Sequence, residues 1–371
     1  MDRDPASDLV RETERWLIEH PRPSGAELAA AGYVVPHWPH PWGLAASPVE
    51  QLAIDTLLRD AAIRRPINPI GIGWAGPTLL AAGSPEQQER WLPRLLSSED
   101  FWCQLFSEPG AGSDLSALTT RAVKDGDEWV VTGQKVWTSY AHVARWGILL
   151  ARTDDGAERH HGITYFVCPM DAPGIEIRPL VDMTGDHAFN EVFLDEVRIP
   201  AANVIGQVND GWRLAKVTLA NERVSLSGEG LLWGMGPTID DVLRDVIDRP
   251  VPLSAIERDR VVSVWSRAEV IKALKLRLVA AAVSGRTPGP EASVRKALAD
   301  DLGQDAMELA VDLLGLDGLL DHEEGTSARV WTHGFAYSQA LTIGGGTSVV
   351  QRNIIAERVL GLPRDAEGGT S

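Results

Sequence analysis

Cys103-Gln-Leu-Phe-Ser-Glu-Pro-Gly-Ala-Gly-Ser-Asp114 is followed by Gly133-Gln-Lys-Val-Trp-Thr-Ser139, and the fold is decided by how this pair is read. The first segment reads as a strand running into a glycine-rich turn with hydroxyls on either side. Gly110 and Gly112 let backbone N–H groups approach a ligand closely, while Ser107 and Ser113 add hydroxyl donors. The second segment sets a large flat apolar ring, Trp137, two residues before a hydroxyl, Ser139. A planar heterocycle can pack against the ring and be hydrogen-bonded by the hydroxyl. For either segment alone, a glycine turn beside a core tryptophan is an equally good reading.

Around this pair the pattern is that of short strands. Glu128–Thr132, Trp146–Ala151, Ile163–Cys168 and Glu191–Leu194 are β-branched or aromatic runs separated by turn signals such as Asp125-Gly126-Asp127 and Ala172-Pro173-Gly174. Such spacing predicts a barrel or sandwich without helices inside it. Upstream, Asp8–Glu19 and Pro48–Asp60 carry apolar residues at helical spacing, and Ser84 caps a helix that opens at Pro85. The Pro- and Gly-rich stretch from Arg65 to Pro77 reads as a wandering connection. Downstream of Gly211 the helical period returns over 212–244, 256–284, 291–314, 328–342 and 347–360, predicting an up-and-down bundle. Three domains are therefore expected: a helical one over 1–100, a central β domain over 101–210 and a helical bundle over 211–371.

Composition narrows the function. Lys and Arg total 35 against 52 Asp and Glu, a formal charge of -17, and that field repels phosphate backbones, so no nucleic-acid partner is expected. No apolar run approaches a membrane span, and the start, Met1-Asp2-Arg3-Asp4-Pro5, lacks a secretion signal; a cytoplasmic location is expected. Cys103 and Cys168 make neither a disulfide framework nor a CxxC pair. His37, His40, His160 and His161 have no Cys or carboxylate at ligand spacing, so no metal is expected. Gly71-Ile-Gly-Trp-Ala-Gly76 fits G-x-G-x-x-G, but no clear strand precedes it, Pro77 follows it, and no G-x-S-x-G occurs.

Together, the two opening segments closely resemble the paired flavin-binding signatures of the acyl-CoA dehydrogenase family. The resemblance extends through Asn190-Glu-Val-Phe-Leu-Asp-Glu-Val-Arg-Ile-Pro200, Gly206-Gln-Val-Asn-Asp-Gly211 and Gly346-Thr-Ser-Val-Val-Gln-Arg-Asn-Ile-Ile-Ala-Glu357, and so covers essentially the whole chain in order. It implies an α+β fold: an N-terminal helical domain, a central β-barrel or sandwich and a C-terminal four-helix-type bundle. It implies FAD as cofactor, with Phe106, Ser107, Gly112, Ser113, Trp137, Thr138, Ser139, Gly346, Thr347 and Gln351 at the cofactor. Ser107 would bond the pyrimidine edge, Ser113 would serve the pyrophosphate and thioester region, and Trp137 would pack against the isoalloxazine. Ser139 would lie near flavin N5 and Thr347 at a phosphate or ribose. Ser113, Arg223 and Gly344 would meet the acyl-CoA substrate.

One departure moves the chemistry. Many members of the family carry a catalytic Glu immediately before the Gly-Thr of the C-terminal turn, where this chain has Gly345. Its N–H can polarise a thioester carbonyl but takes no proton. In relatives resembling isovaleryl-CoA dehydrogenase the base stands on the first bundle helix before an Arg, and Glu222 occupies that position before Arg223. The resemblance thus implies α-proton removal by Glu222 and β-hydride transfer to flavin N5, giving a trans-2-enoyl-CoA. The bland alternative for Glu222 is a carboxylate on an exposed helix face. An electron-transferring flavoprotein is implied as acceptor, and a tetramer as assembly, in fatty acid or steroid side-chain metabolism.

Further departures lie at the adenosine-diphosphate end. Asp248-Arg-Pro-Val-Pro-Leu253 lacks the family's Arg and Phe-Gly, Asp312 replaces a common Gln, Leu316 a Gly and Val349 a polar residue. They keep open a second expectation, a non-catalytic partner subunit completing another chain's FAD site in a heterotetramer rather than a homo-oligomer. A third is an oxygen-using oxidase or monooxygenase on the same fold.

Overall fold

The structure is a computed structural model describing residues 7–225, 230–232, 235–283, 289–320, 323 and 326–363. By contacts the chain divides into two compact units, residues 1–181 with 187–221, and residues 182–186 with 222–371.

The first unit opens with five helices: α1 (Asp8–Glu19), α2 (Gly25–Ala30), α3 (Pro48–Asp60), α4 (Gly76–Ala82) and α5 (Pro85–Leu96). Serine capping boxes set three of their starts. Ser24, Ser47 and Ser84 each accept from the backbone N–H three residues on, while Glu27, Glu50 and Gln87 reach back to the cap N–H. The expected wandering connection over 65–77 is irregular only over 65–68 and then helical: a π-helical turn over Gly71–Ala75 runs straight into α4. Two observations explain it. Asn68 accepts the Gly71 N–H through its side chain and the Ile72 N–H through its carbonyl, which starts the turn. A Cβ on Gly76 would lie 2.3 Å from the Trp38 ring, so glycine here serves close packing of a helix.

The strands are β1 (Trp102–Leu105), β2 (Arg121–Asp125), β3 (Glu128–Lys135), β4 (Trp146–Arg152), β5 (Ile163–Pro169), β6 (Ile175–Leu180), β7 (Phe189–Pro200) and β8 (Val204–Ile205). They form one sheet in the order β6-β7-β3-β2-β4-β5-β8, with β1 parallel to β4, and only single helical turns at Leu115–Ala117 and Ala201–Asn203 interrupt this region. β4 and β5 are buried along their length because apolar clusters pack on both of their faces: Ile148, Leu150, Tyr165 and Val167 join the helices, and Leu149, Phe166 and Cys168 join the other strands.

Helix α6 (Gly211–Ser225) begins in the first unit, and its buried residues, Gly211, Leu214, Ala215, Thr218 and Glu222, follow one helical stripe. Thr218 fixes the stripe: its hydroxyl lies 2.8 Å from that of Thr78 on α4 and 3.0 Å from the Tyr165 hydroxyl on β5. Burial pushes the Tyr165 hydroxyl well above its ordinary pKa, so it stays a neutral partner. Thr218→Val removes the hydroxyl shared by Thr78 and Tyr165, with Thr78 keeping its bond to the Trp74 carbonyl, and should cost about 1 kcal/mol in urea unfolding; a loss below a few tenths would show that the cluster does not anchor α6.

The second unit holds α7 (Ile239–Ile247), α8 (Ala255–Val283), α9 (Glu291–Leu314), α10 (Ser327–Ser338) and α11 (Ser348–Ile354). The single helix expected over 212–244 is two. A tight turn pairs Leu232 with Met235, Gly236 takes φ +69°, and α7 restarts behind a Thr238–Asp241 capping box. Among the described residues, Gly230 and Gly236, followed by Pro237, stand at the break. Arg260–Asp312 and Arg267–Asp305 pairs tie α8 to α9, and Trp331 on α10 donates to Asp245 on α7.

Candidate functional site

In the first unit, the end of β1 and the end of β3 are locked side by side. Val136 N–H donates to the Ser107 carbonyl at 2.9 Å, and the fully buried Lys135 ammonium donates to the Phe106 carbonyl at 3.1 Å and to Glu108 Oε1 at 2.8 Å. Glu108 also accepts the Thr119 N–H, the Thr119 hydroxyl and the Thr120 N–H. Burial raises the Glu108 carboxyl, but the Lys135 charge and these hydrogen bonds overturn that and hold it at about 2. Burial likewise lowers Lys135, against the pull of Glu108, to about 8, so at neutral pH the pair is ionised.

The expected flavin residues sit on this frame. Phe106 is buried edge-on against Tyr165; Ser107 is half-buried; Gly112 and Ser113 are exposed. Glu108 and Ala111 exchange backbone hydrogen bonds to close the turn, and a Cβ built on Gly110 or Gly112 would meet nothing within 4 Å. The chain's own packing does not demand glycine there, and open space lies over both. Trp137 holds the left-handed φ of +60° and is 61% exposed as a residue, its ring touching Phe189 edge-on. A bulky residue in that conformation is strained, and strain of this kind persists where surrounding structure enforces it. Here Asn190 enforces it: its carbonyl accepts the Thr138 N–H at 3.0 Å and its amide donates to the Thr138 carbonyl at 3.0 Å. The Thr138 hydroxyl is buried with no protein partner, and Ser139 is half-buried beside it. A strained, exposed indole, an orphaned hydroxyl and two open glycines fit a flat, apolar ring system with hydrogen-bonding edges, which is the chemistry of FAD.

In the second unit, Glu222 is buried, on the inward stripe of α6 rather than an exposed face. The side chain of Arg223, an expected substrate contact, lies outside the described residues. The turn Gly344–Gly346 precedes α11, with Gly345 at φ +65° and Gly346 at φ +89°, a conformation for which glycine is the residue of choice. Thr347 caps α11 by accepting the Val350 N–H, and buried Gln351 donates to the carbonyls of Gly345 at 2.9 Å and Gly346 at 3.3 Å. Asp312 and Leu316, two of the departures from the family pattern, fall respectively in the ion pair with Arg260 and on an 82% exposed apolar surface. A cavity of about 240 Å³ among Val242, Asp245, Arg249, Leu313 and Trp331 contains none of the expected site residues.

Sequence reading missed Glu108, Lys135 and Asn190 in the first frame, and Lys296, which donates to Asp300 and to the carbonyls of Gly344 and Gly346, behind the glycine turn. Glu108, Lys135 and Asn190 stand inside the quoted motifs, but nothing local says that a lysine will be wholly buried. Lys296 and Asp300, four apart on a helix, carry the pattern of a solvated surface pair.

Comparison with known proteins gives a consistent result along the chain. Residues 4–99, 103–197 and 209–360 match the N-terminal, middle and C-terminal domains of acyl-CoA dehydrogenase. Acyl-CoA dehydrogenase FadE34 of Mycobacterium tuberculosis is 47% identical over 91% of this chain, which spans 46% of that protein's length. Acyl-CoA dehydrogenase IpdE1 of the same organism is 39% identical over 96% of this chain and 91% of its own. Among solved structures, the Tcur3481-Tcur3483 steroid ACAD superposes with TM-score 0.80 at 28% identity, covering 98% of this chain and 100% of that one. The ChsE4-ChsE5 complex from Mycobacterium tuberculosis gives TM-score 0.78 at 29% identity over 98% and 99%.

Proposed function

The chain belongs to the acyl-CoA dehydrogenase family, and on that footing we propose that it catalyses FAD-dependent α,β-dehydrogenation of a bulky acyl-CoA thioester to the trans-2-enoyl-CoA. What carries the reading is Glu222, a carboxylate held on the buried stripe of α6 and not on a solvated face. FAD, when bound, supplies the acceptor for the β-hydride. Phe106, Ser107, Gly112, Ser113, Trp137, Thr138, Ser139, Gly346, Thr347 and Gln351 hold it, Trp137 offering a ring face and the hydroxyls its hydrogen bonds. Glu222 takes the α-proton, and the Gly345 N–H donates to the thioester oxygen where charge develops. Ser113, Arg223 and Gly344 orient the CoA ester. The steroid ACAD among similar structures, together with a base on the bundle helix, favours branched or polycyclic acyl groups. An electron-transferring flavoprotein is the proposed acceptor and a tetramer the assembly. No helix among the described residues is long and apolar enough to cross a membrane.

The test is anaerobic mixing of the yellow protein with straight, branched and steroid-type acyl-CoAs. Bleaching of the flavin by one class supports the reading; a flavin-loaded protein that none of them bleaches sinks it. Trp137→Gly gives a second check. It relieves the left-handed strain and removes an exposed ring, so the flavin-free protein should melt no lower. FAD affinity should fall about tenfold, the worth of one aromatic stacking contact, read by ultrafiltration of released flavin. Unchanged affinity would remove Trp137 from the site.

A second reading has its own support. Leu316, Leu319, Ile247 and Val251 in the second unit are largely exposed apolar side chains, and the ChsE4-ChsE5 complex is an assembly of two named components. A chain that is colourless alone and acquires FAD only with a related subunit would establish a partner role.

A further inference from the structure

We propose that Lys296 is the positioning residue of the Gly344–Gly346 turn: it gathers the turn's carbonyls on one side and so turns the Gly345 amide toward the thioester oxygen. The inference deepens the dehydrogenase reading and rests on it.

Lys296 is buried in α9 and spends its ammonium on four acceptors. They are Asp300 on the same helix and the carbonyls of Leu341 at 3.0 Å, Gly344 at 2.8 Å and Gly346 at 3.0 Å. Gln351 takes the remaining carbonyl, that of Gly345. Every carbonyl of the glycine triplet therefore has a fixed partner.

Peptide geometry does the rest. The bonds joining residues 344 to 347 are trans, and a trans peptide points its C=O and N–H in opposite directions. Holding the Gly344 carbonyl thus turns the Gly345 N–H away from Lys296. Holding the Gly346 carbonyl does the same for the Thr347 N–H, and Gln351 does it for Gly346. None of these three N–H groups has a protein acceptor among the described residues. The positive charge on the Gly344 carbonyl also polarises its peptide, strengthening the Gly345 N–H as a donor. The glycine at 345, which cost the turn a carboxylate, leaves this amide as its reactive feature.

The experiment compares two CoA ligands of one acyl length on the FAD-loaded protein by calorimetry: the thioester, and a thioether analogue that lacks the carbonyl. Wild type should prefer the thioester. Lys296→Met should lose that preference by about tenfold, the worth of one ground-state hydrogen bond, while binding the thioether as before; Lys296→Arg should recover part of it. In hydrogen exchange without ligand, the hydrogen-bonded amides of the turn, Leu341, Ile343, Gly344 and Ser348, should lose protection in Lys296→Met. If Lys296→Met fails to fold because Asp300 is left without its cation, Lys296→Met with Asp300→Asn removes both charges and reads the same ratio. A variant that keeps the wild-type thioester-to-thioether ratio overturns the Lys296 assignment alone. A wild type that binds both ligands equally overturns the dehydrogenase reading and, with it, this role for the amide.

Discussion

Glu222→Gln should lower the rate of anaerobic flavin reduction by the preferred acyl-CoA roughly 10²- to 10⁴-fold, the contribution of a positioned general base, while FAD stays bound. Glutamine keeps the size and shape of the side chain and loses only the capacity to take a proton. The geometry around it should hold, because α6 is anchored one turn earlier through Thr218 to Thr78 and Tyr165. Stopped-flow spectroscopy separates the outcomes. Slow reduction at unchanged thioester affinity supports proton removal by Glu222, and wild-type reduction rates would transfer that role to another group. Glu222→Asp keeps the acid but withdraws it by one methylene, so an intermediate rate is expected.

The second large effect is structural. Lys135→Met should destabilise the protein by about 3–5 kcal/mol, the penalty for leaving one member of a buried ion pair without its partner. Both side chains are essentially buried, and Glu108 would keep its three donors from Thr119 and Thr120 but lose its counter-charge. The loss should appear as a lower urea midpoint, and Lys135→Met with Glu108→Gln should recover part of it. Because Lys135 also ties the Phe106 carbonyl, the single variant should lose flavin more readily than its stability alone explains. A loss under 1 kcal/mol would mean that the pair does not hold the two segments together.

The same pair sets an acid limit. The Glu108 carboxyl titrates near 2 in the folded chain against an ordinary 4.5. A carboxyl depressed by folding contributes stability that is fully present above about pH 4.5 and lost as pH falls towards 2. Glu108→Gln should flatten the fall of the urea midpoint across that window, and an unaltered acid profile would assign the fall to other carboxylates.

Local signals carried a large part of this protein. Serine caps followed by Glu or Gln three residues on mark helix starts, because those orphan N–H groups need acceptors that are close in sequence. Alternating and continuous apolar runs mark the strands, and the motifs from Cys103 to Ser139 and from Gly346 to Glu357 announce the family. Glycine misled twice, in opposite ways. At Gly71–Gly76 it served close packing inside helical structure, whereas Gly236, at φ +69°, stands where a helix that the apolar period continued is broken. The difference lies in what surrounds the glycines, the Trp38 ring in one case and a tight Leu232–Met235 turn in the other, and no neighbour in sequence reports it.

Burial and direction belong to the same class. Glu222 can be named from its place before Arg223, but that it is buried and not solvated is decided by packing remote in sequence. Trp137 can be named from its motif, but its left-handed backbone and open ring follow from Asn190 on β7. Lys135 and Lys296 carry no local signal of burial, and only the folded chain supplies the carboxylates and carbonyls that make their burial tolerable. Residue type and spacing encode interactions between near neighbours along the chain, and so they reveal elements and motifs. The cost of burying a charge or straining a backbone is offset by partners that sequence separation hides, and tertiary structure alone brings them together.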